Sequence, residues 1–261
     1  MAFRIEARTR AILIGLLYWA PVAMGQTPFR YEAFHVHSRV SNMMMKSRGY
    51  GTLIIGPTGV SYTEITVNGD RPKHPHMFNW NYQDIQQLQM APRSITITTY
   101  KDNKWKLGAD RAYRFNLLGN ESFASAQQFL KGHLDQRFVE EIPDHISNTL
   151  WALPVKRLLR MGGEEGMIQV GSNEIVYTPS GKGESRTWRY GDIDNISSSG
   201  PFNLTITTYE RARFDYGNRK QFNFQLKQRL EETRYNDLWL RLSLSKGLKI
   251  LDAYNGPAGP Q

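Results

Sequence analysis

The sequence predicts a mainly β protein with helices, in which two tandem antiparallel domains each end in a helix. Three observations support this: blocks of sequence recur in constant order, the blocks alternate apolar and polar residues, and helical spacing follows each set. Alternation with a period of two is typical of half-buried strands, whereas apolar residues at i, i+3, i+4 and i+7 indicate an amphipathic helix. With 40% hydrophobic and 22% charged residues, the composition is that of a folded globular protein.

The repeat consists of blocks that match at preserved spacing. They are residues 51–56 with 166–171, Trp80–Ile85 with Trp188–Ile193, 95–100 with 204–209, and 113–117 with 222–226. Clusters of Gly, Pro and Asn, which favour turns, separate the blocks. In the first copy we expect seven strands, near 34–38, 51–55, 59–65, 77–81, 84–90, 94–100 and 112–117.

A helix is expected after the last strand of each copy. In the first copy the apolar positions with helical spacing are Phe123, Ala126, Phe129, Leu130, Leu134 and Phe138, and Ser122 is the expected N-cap. In the second copy they are Tyr235, Leu238, Trp239 and Leu242. Each helix is expected to cover one open end of a curved sheet with its apolar face.

Seven antiparallel strands followed by one helix resemble the pleckstrin-homology (PH) superfold, including its GRAM-like and bacterial PH-like branches. The Gly-x-Leu, Val-x-Tyr and Trp-x-Tyr-x-Asp-Ile patterns are similar to those of a group of exported bacterial proteins without an assigned activity. The resemblance covers both copies and implies two seven-stranded PH-like barrels, each capped by a C-terminal helix. It implies no ligand.

The expected domains are residues 34–138 and 153–245, with a linker over 139–152 and a flexible tail over 246–261. Leu153–Lys156 is expected to begin the second copy as Phe34–His37 begins the first. Each copy should have its own sheet, so one sheet continuous across the midpoint would contradict this division.

The first 25 residues have the layout of a secretory signal peptide. Three arginines precede the apolar run 11–20, and Ala23 and Gly25 are small enough for a cleavage site before Gln26. We therefore expect export to the periplasm or the outside of the cell. An uncleaved membrane anchor is the alternative. The chain has no cysteine, which excludes disulfides and a lipoprotein anchor.

Basic and aromatic residues mark the turn between the last two strands of each copy. They are Lys104, Trp105 and Lys106 in the first copy, and Arg211, Arg213 and Phe214 in the second. Such a tip is a candidate ligand-binding site for an anionic headgroup or glycan, because a cation pairs with phosphate or carboxylate while a ring stacks or inserts. The alternative is a solvated hairpin whose charges discourage edge pairing.

Other candidate residues are histidines and aspartates. Strand residues at i and i+2 share a face, so the pairs His35/His37 and His74/His76 are weak candidates for metal ligands, with ordinary surface histidines as the favoured interpretation. Asp84 and Asp192, in the repeated Trp-x-Tyr-x-Asp-Ile block, could act as general acids. Their duplication instead favours a turn role in which each accepts backbone N–H groups, with the tryptophans packed inside the barrel.

The sequence thus predicts a non-catalytic binding or scaffold protein of the cell envelope. The chain lacks HExxH, GxSxG and a nucleophilic cysteine, and no cofactor is expected. A net charge of +9 favours an anionic envelope surface, lipid or glycan, although a protein partner is also possible and nucleic acid is not expected. The alternatives are a lipocalin-like carrier of a small apolar ligand and, less favoured, a histidine-based metal-binding protein. Oligomeric state stays open.

Overall fold

Seven antiparallel strands form the first half of the fold. The computed structural model describes residues 27–36, 48–67, 69–72, 74–103, 109–143, 146, 148–211 and 219–247. The strands are β1 (Phe29–Val36), β2 (Arg48–Gly56), β3 (Gly59–Val67), β4 (Met77–Asn81), β5 (Ile85–Ala91), β6 (Ser94–Asp102) and β7 (Asp110–Leu117). All seven lie where the alternating pattern predicts strands, although β1 begins earlier, at Phe29.

A short helical segment and an eighth strand follow β7. They are a 3-10 turn (Phe123–Ala126), α1 (Gln127–His133) and β8 (Phe138–Glu140). Ser122 is the N-cap as predicted, and its hydroxyl accepts the N–H of Ala124 at 3.2 Å. The predicted helix is too long, because the Asp135 carboxylate accepts the backbone N–H of Arg137 and holds a turn after α1. Phe138 is therefore a buried strand residue and not a helical one.

The second half repeats the arrangement. Its elements are β9 (Trp151–Leu158), β10 (Gly163–Val170), β11 (Glu174–Pro179), β12 (Arg186–Arg189), β13 (Ile193–Ser197), β14 (Asn203–Arg211), β15 (Arg219–Leu226) and α2 (Glu232–Ser245). The strand order β13-β14-β15-β9-β10-β11-β12 reproduces the order β5-β6-β7-β1-β2-β3-β4 of the first half. The matching blocks of sequence therefore occupy matching strands.

One sheet of 15 strands runs through both halves. Strand β8 pairs in parallel with β5 and forms an antiparallel bridge to β12 at Thr187↔Glu140. The expectation of a separate sheet for each copy is wrong, and the segment 139–152, predicted as a linker, contains the end of β8 and the start of β9. Strand β8 begins before this segment and β9 begins inside it, and β8 supplies hydrogen-bonding partners to two strand edges that otherwise face each other unpaired.

Each half nevertheless has its own hydrophobic core. The first contains Tyr62, Trp80 and Phe115, and α1 contributes Leu130. The second contains Trp188 and Phe224, with Leu238 and Leu242 from α2. The two helices thus pack their apolar faces on the two cores as expected, and the predicted domain boundaries stay a prediction.

Two glycines of the repeat are required by close backbone approach. A Cβ on Gly51 would lie 2.0 Å from the carbonyl oxygen of Thr63, and one on Gly166 would lie 2.5 Å from that of Thr178. No side chain fits at these distances, so the neighbouring strand can approach only a glycine.

The predictions for the two termini fall largely on residues that are not described. The expected leader, 1–25, and residues 248–261 of the expected tail lie outside the described residues. Across the described ranges, no helix combines the length and the apolar character that crossing a bilayer requires.

Candidate functional site

Three of the connections between strands of the second half lie at the same end of that half, because its strands are antiparallel. At this end β9 turns into β10, β11 turns into β12, β14 ends at Arg211, and β15 begins at Arg219. We call this the loop end of the second half. It includes the turn 159–162 and the turn 180–185, both of which are described.

The β9–β10 turn exposes apolar side chains at the loop end. Leu158, Leu159 and Met161 are 41%, 44% and 90% exposed. The turn closes with the N–H of Leu159 donating to the carbonyl of Gly162 at 3.2 Å, and Gly162 has a φ of 80° that favours glycine. Arg160 is exposed between the apolar residues and has no hydrogen bond or ion pair with the described residues. We call residues 158–161 the apolar tip.

A layer of cations lies beneath the apolar tip, around the ring of Phe222. The guanidinium carbons of Arg157 and Arg186 lie 5.2 and 5.6 Å from the ring centroid, and the Nζ of Lys220 lies 5.0 Å from it. Cations at such distances are attracted to the negative face of an aromatic ring. Arg186 is only 1% exposed, so its charge is almost fully withdrawn from water.

Carboxylates balance this cation layer. Lys220 Nζ lies 3.0 Å from Glu210, and Arg157 Nη1 lies 3.9 Å from Glu164. The guanidinium of Arg186 forms ion pairs with Glu141, which follows β8, and with Glu184 at 3.6 Å. Burial and the neighbouring Glu164 raise the pKa of the Tyr177 hydroxyl, which donates to Glu164 at 3.2 Å. Each of the three cations in the layer therefore has a carboxylate partner.

The cation layer is specific to the second half. Phe115 pairs with His35 across β1 and β7, and Phe224 pairs with Arg157 across β9 and β15. Arg157 is therefore the counterpart of His35, and the expectation that Leu153–Lys156 matches Phe34–His37 is wrong by three residues. The error arises because both alignments keep an apolar residue at every second position.

The inward direction of two arginines is a signal that sequence reasoning missed. Arg157 follows the buried residues Leu153 and Val155 at alternate positions, and Arg186 precedes buried Trp188 by two residues. Because alternate strand residues share a face, both arginines are required to point inward. The pattern could therefore have indicated a buried cation layer.

The structure describes only one residue of the predicted basic tips. Lys104, Trp105, Lys106, Arg213 and Phe214 lie outside the described residues. The guanidinium of Arg211 forms an ion pair with Asp110 in the first half, and its backbone N–H donates to the Gln87 side chain at 3.4 Å. This residue thus joins the halves, and the ligand-binding role of both tips stays a prediction.

Two of the four candidate histidines flank one aromatic ring. The centroids of His35 and His76 each lie 5.8 Å from that of Phe78, and His35 Nδ1 donates to the Arg114 carbonyl at 2.9 Å. His74 is exposed, and His37 lies outside the described residues. In the described ranges, no group of three His, Asp or Glu side chains is arranged to hold a metal ion.

The repeated Trp-x-Tyr-x-Asp-Ile block forms the corner between the fourth and fifth strands of each half. Asp84 accepts the backbone N–H of Asn81 at 3.2 Å, and Asp192 accepts that of Arg189 at 3.0 Å. Each aspartate thereby caps a 3-10 turn, and the preceding tryptophan is buried. The interpretation of these aspartates as turn residues is confirmed.

A shallow pocket lies in the first half. It has a volume of about 360 Å³ and is lined by Phe29, Arg30, Tyr31, Glu121, Ser122 and Ser125. Its hydroxyls are engaged, since Tyr31 and Ser125 form a hydrogen bond of 2.7 Å. The lining has no arrangement of nucleophile and base that would indicate catalysis.

Comparisons with known proteins give little further guidance. No family model and no curated protein matches the chain. Among solved structures, the C-terminal domain of an unknown protein from Leishmania infantum is 13% identical over 36% of this chain and 84% of that chain, with a TM-score of 0.28. The Spt16D Pob3N heterodimer is 13% identical over 76% of this chain and 96% of that chain, with a TM-score of 0.25. Such scores support no assignment of fold or function.

Proposed function

We propose that the chain is a non-catalytic binding protein of the cell envelope, built from two PH-like barrels, and that its loop end binds an anionic membrane surface. The observation that carries the proposal is the apolar tip, where Leu159 and Met161 are exposed on either side of Arg160. Apolar side chains that enter the acyl boundary while a neighbouring cation meets phosphate are the usual means by which a protein attaches to a membrane surface.

Charge supports the same orientation. The chain has a net charge of +9, and the loop end carries Lys156 and Arg160 as exposed cations. Attraction to an anionic surface raises the encounter rate and adds about 1 kcal/mol for each cation that reaches the surface. The buried layer beneath contributes support and not binding groups, because its cations are already paired.

The sequence of the first half contains a second stretch of apolar and basic residues. Residues 37–47 connect β1 to β2, in the place of the β9–β10 turn, and their sequence includes Met43, Met44, Met45 and Lys46. This segment lies outside the described residues. Methionines next to a lysine favour the same kind of contact.

The packing of the two cores favours binding at the surface over carriage of a ligand inside a barrel. Trp80, Phe115, Trp188 and Phe224 are buried among the strands that a lipocalin-like carrier would need to keep apart. Side chains of this size fill a small barrel.

Co-sedimentation of the purified chain with phospholipid vesicles tests the proposal. We expect binding to vesicles containing phosphatidylglycerol and little binding to pure phosphatidylcholine. The variant Leu159→Ser/Met161→Ser should bind about tenfold or more weakly, because each apolar side chain contributes about 1.5–3 kcal/mol when fully buried. The matched control is Leu150→Ser/Phe202→Ser, which removes two exposed apolar residues from the opposite end of the second half. Equal binding of both variants, or no preference for anionic vesicles, would refute the proposal.

A further inference from the structure

The junction between the two halves leaves the complementary strand edges at the two ends of the molecule. Inside the chain, β8 joins the edge of β5 to the edge of β12. The 15-stranded sheet ends at β4 and β13. Strand β4 is the counterpart of β12, and β13 is the counterpart of β5. The two ends of the sheet therefore present the same two kinds of strand edge that β8 joins inside the chain.

An ion pair and an amide hydrogen bond accompany the strand pairing at the internal junction. Arg211 in β14 forms an ion pair with Asp110 at the start of β7, and its backbone N–H donates to the side chain of Gln87 in β5. The first half supplies the acid and the amide, and the second half supplies the base. These three residues define which groups a repeated junction would need.

The counterparts of these residues lie at the two ends of the molecule. In the first half Asp102 pairs with Asp110 across β6 and β7, and in the second half Arg211 pairs with Arg219 across β14 and β15. Asp102 therefore corresponds to Arg211, and Asp110 corresponds to Arg219. Both signs are reversed, and a repeated junction would therefore again bring opposite charges together. Asn195 corresponds to Gln87, so the side-chain amide is also present.

These counterpart residues are accessible in the described structure. Asp102 and Asn195 are exposed, and the side chain of Arg219 is 46% exposed although it contacts Asp194. We call β4 with Asp102 the Asp102 end, and β13 with Asn195 and Arg219 the Arg219 end. Because Arg219 is only partly covered, a second carboxylate can still approach its guanidinium.

The Arg219 end also has an exposed apolar face. The Tyr235 hydroxyl donates to the Ile196 carbonyl at 3.3 Å, which holds α2 beside β13. Trp239 and Leu244 on α2 are 41% and 61% exposed. At the internal junction the corresponding helix, α1, is contacted by the second half, since Arg189 donates to the Lys131 carbonyl at 3.4 Å.

We propose that the Arg219 end of one molecule binds the Asp102 end of a second copy of this chain, repeating between molecules the junction that joins the halves within one. Such an interface is heterologous, with different surfaces on the two partners. An open assembly keeps one unpaired end of each type, so it grows head to tail unless the rotation between neighbours closes a ring. The proposal is independent of membrane binding.

Sedimentation velocity of the purified chain over a range of concentrations tests the proposal. The wild type should form dimers and then larger species. Asp102→Arg and Arg219→Glu should each weaken association by about tenfold or more, because each places like charges opposite one another. Asn195→Glu blocks the Arg219 end without removing the Arg219–Asp194 contact, and it guards against misfolding of the Arg219 variant. Glu32→Arg, with the same change of charge as Asp102→Arg on an exposed strand position, is the control and should assemble normally.

Mixing the variants distinguishes this interface from any other self-association. Asp102→Arg retains an intact Arg219 end, and Arg219→Glu retains an intact Asp102 end. An equimolar mixture should therefore assemble again, because the two intact ends pair with each other and the two altered ends carry exchanged, complementary charges. The double variant should assemble for the same reason. A wild type that stays monomeric, variants that assemble like the control, or a mixture that stays monomeric would each overturn the proposal.

Discussion

Arg189 binds Asp192 through two parallel hydrogen bonds, from Nε to Oδ2 and from Nη2 to Oδ1, both 2.9 Å long. The same guanidinium donates to the carbonyl of Asp135 in the first half at 2.6 Å. In the first half the corresponding corner has only the backbone N–H of Asn81 bonded to Asp84. The repeated corner therefore caps a turn in both halves, and in the second half it also holds the two halves together.

Replacing Arg189 with Asn, the residue at the same position of the first half, should loosen the junction. The variant loses the paired bonds to Asp192 and the bonds to the first half, and we expect the free energy of unfolding to fall by about 1–3 kcal/mol. Chemical denaturation measures the loss, and amide exchange should rise over residues 131–137. The control Asn81→Ala keeps its backbone cap. A larger loss in the control than in Arg189→Asn would contradict this role.

Stability should depend on pH through Glu140. Burial raises the pKa of this carboxyl from 4.5 to about 7, although Lys131, Gln127 and Arg189 oppose the shift. Between these values the folded state keeps a proton that the unfolded state releases, so the free energy of unfolding falls as pH rises from about 4.5 to about 7.

In Glu140→Gln the loss of stability between pH 5 and pH 8 should be smaller by about 1–3 kcal/mol than in the wild type. Denaturation at both pH values measures the difference, with exposed Glu32→Gln as the control. An unchanged pH profile in Glu140→Gln would show that this carboxyl does not carry the effect.

Removing only the carboxylate that pairs with buried Arg186 should lower the free energy of unfolding more than removing both charges. Glu141→Gln leaves the guanidinium of Arg186 buried with its ion pair to Glu141 lost, and should cost about 3 kcal/mol or more. Adding Arg186→Met to Glu141→Gln removes the buried guanidinium itself and should recover much of that loss. Thermal denaturation of the single and double variants measures the coupling, and additive losses would contradict it.

Adding one methyl group to a repeat glycine should test the close strand contact. Gly51→Ala places Cβ 2.0 Å from a backbone oxygen, which strands can relieve only by moving apart, so we expect a loss of about 2 kcal/mol or more. Gly132→Ala in α1 is the control, since a Cβ there has no heavy atom within 4 Å. It should stabilise the helix by about 0.5–1 kcal/mol. Equal effects of the two variants would exclude the explanation.

Local patterns predict the strands of this chain well because alternation is imposed by burial of one face. The same patterns fail where a contact between the halves decides the structure. Phe138 continues a helical pattern but lies in β8, since two strand edges are available to pair with it. The cation layer was missed for a similar reason, because Arg186 is buried only through partners that lie far away in sequence. The turn role of Asp84 and Asp192 was predictable because it is local.

Entry of the second half's loop end into a membrane surface can be measured directly with spin labels. The chain has no cysteine, so Met161→Cys and Phe202→Cys can each carry one spin label, at the apolar tip and at the turn before β14 on the opposite end. With anionic vesicles, the label at 161 should become protected from a water-soluble relaxation agent, while the label at 202 stays accessible. Equal accessibility of both labels in vesicle-bound protein would contradict membrane entry by the loop end.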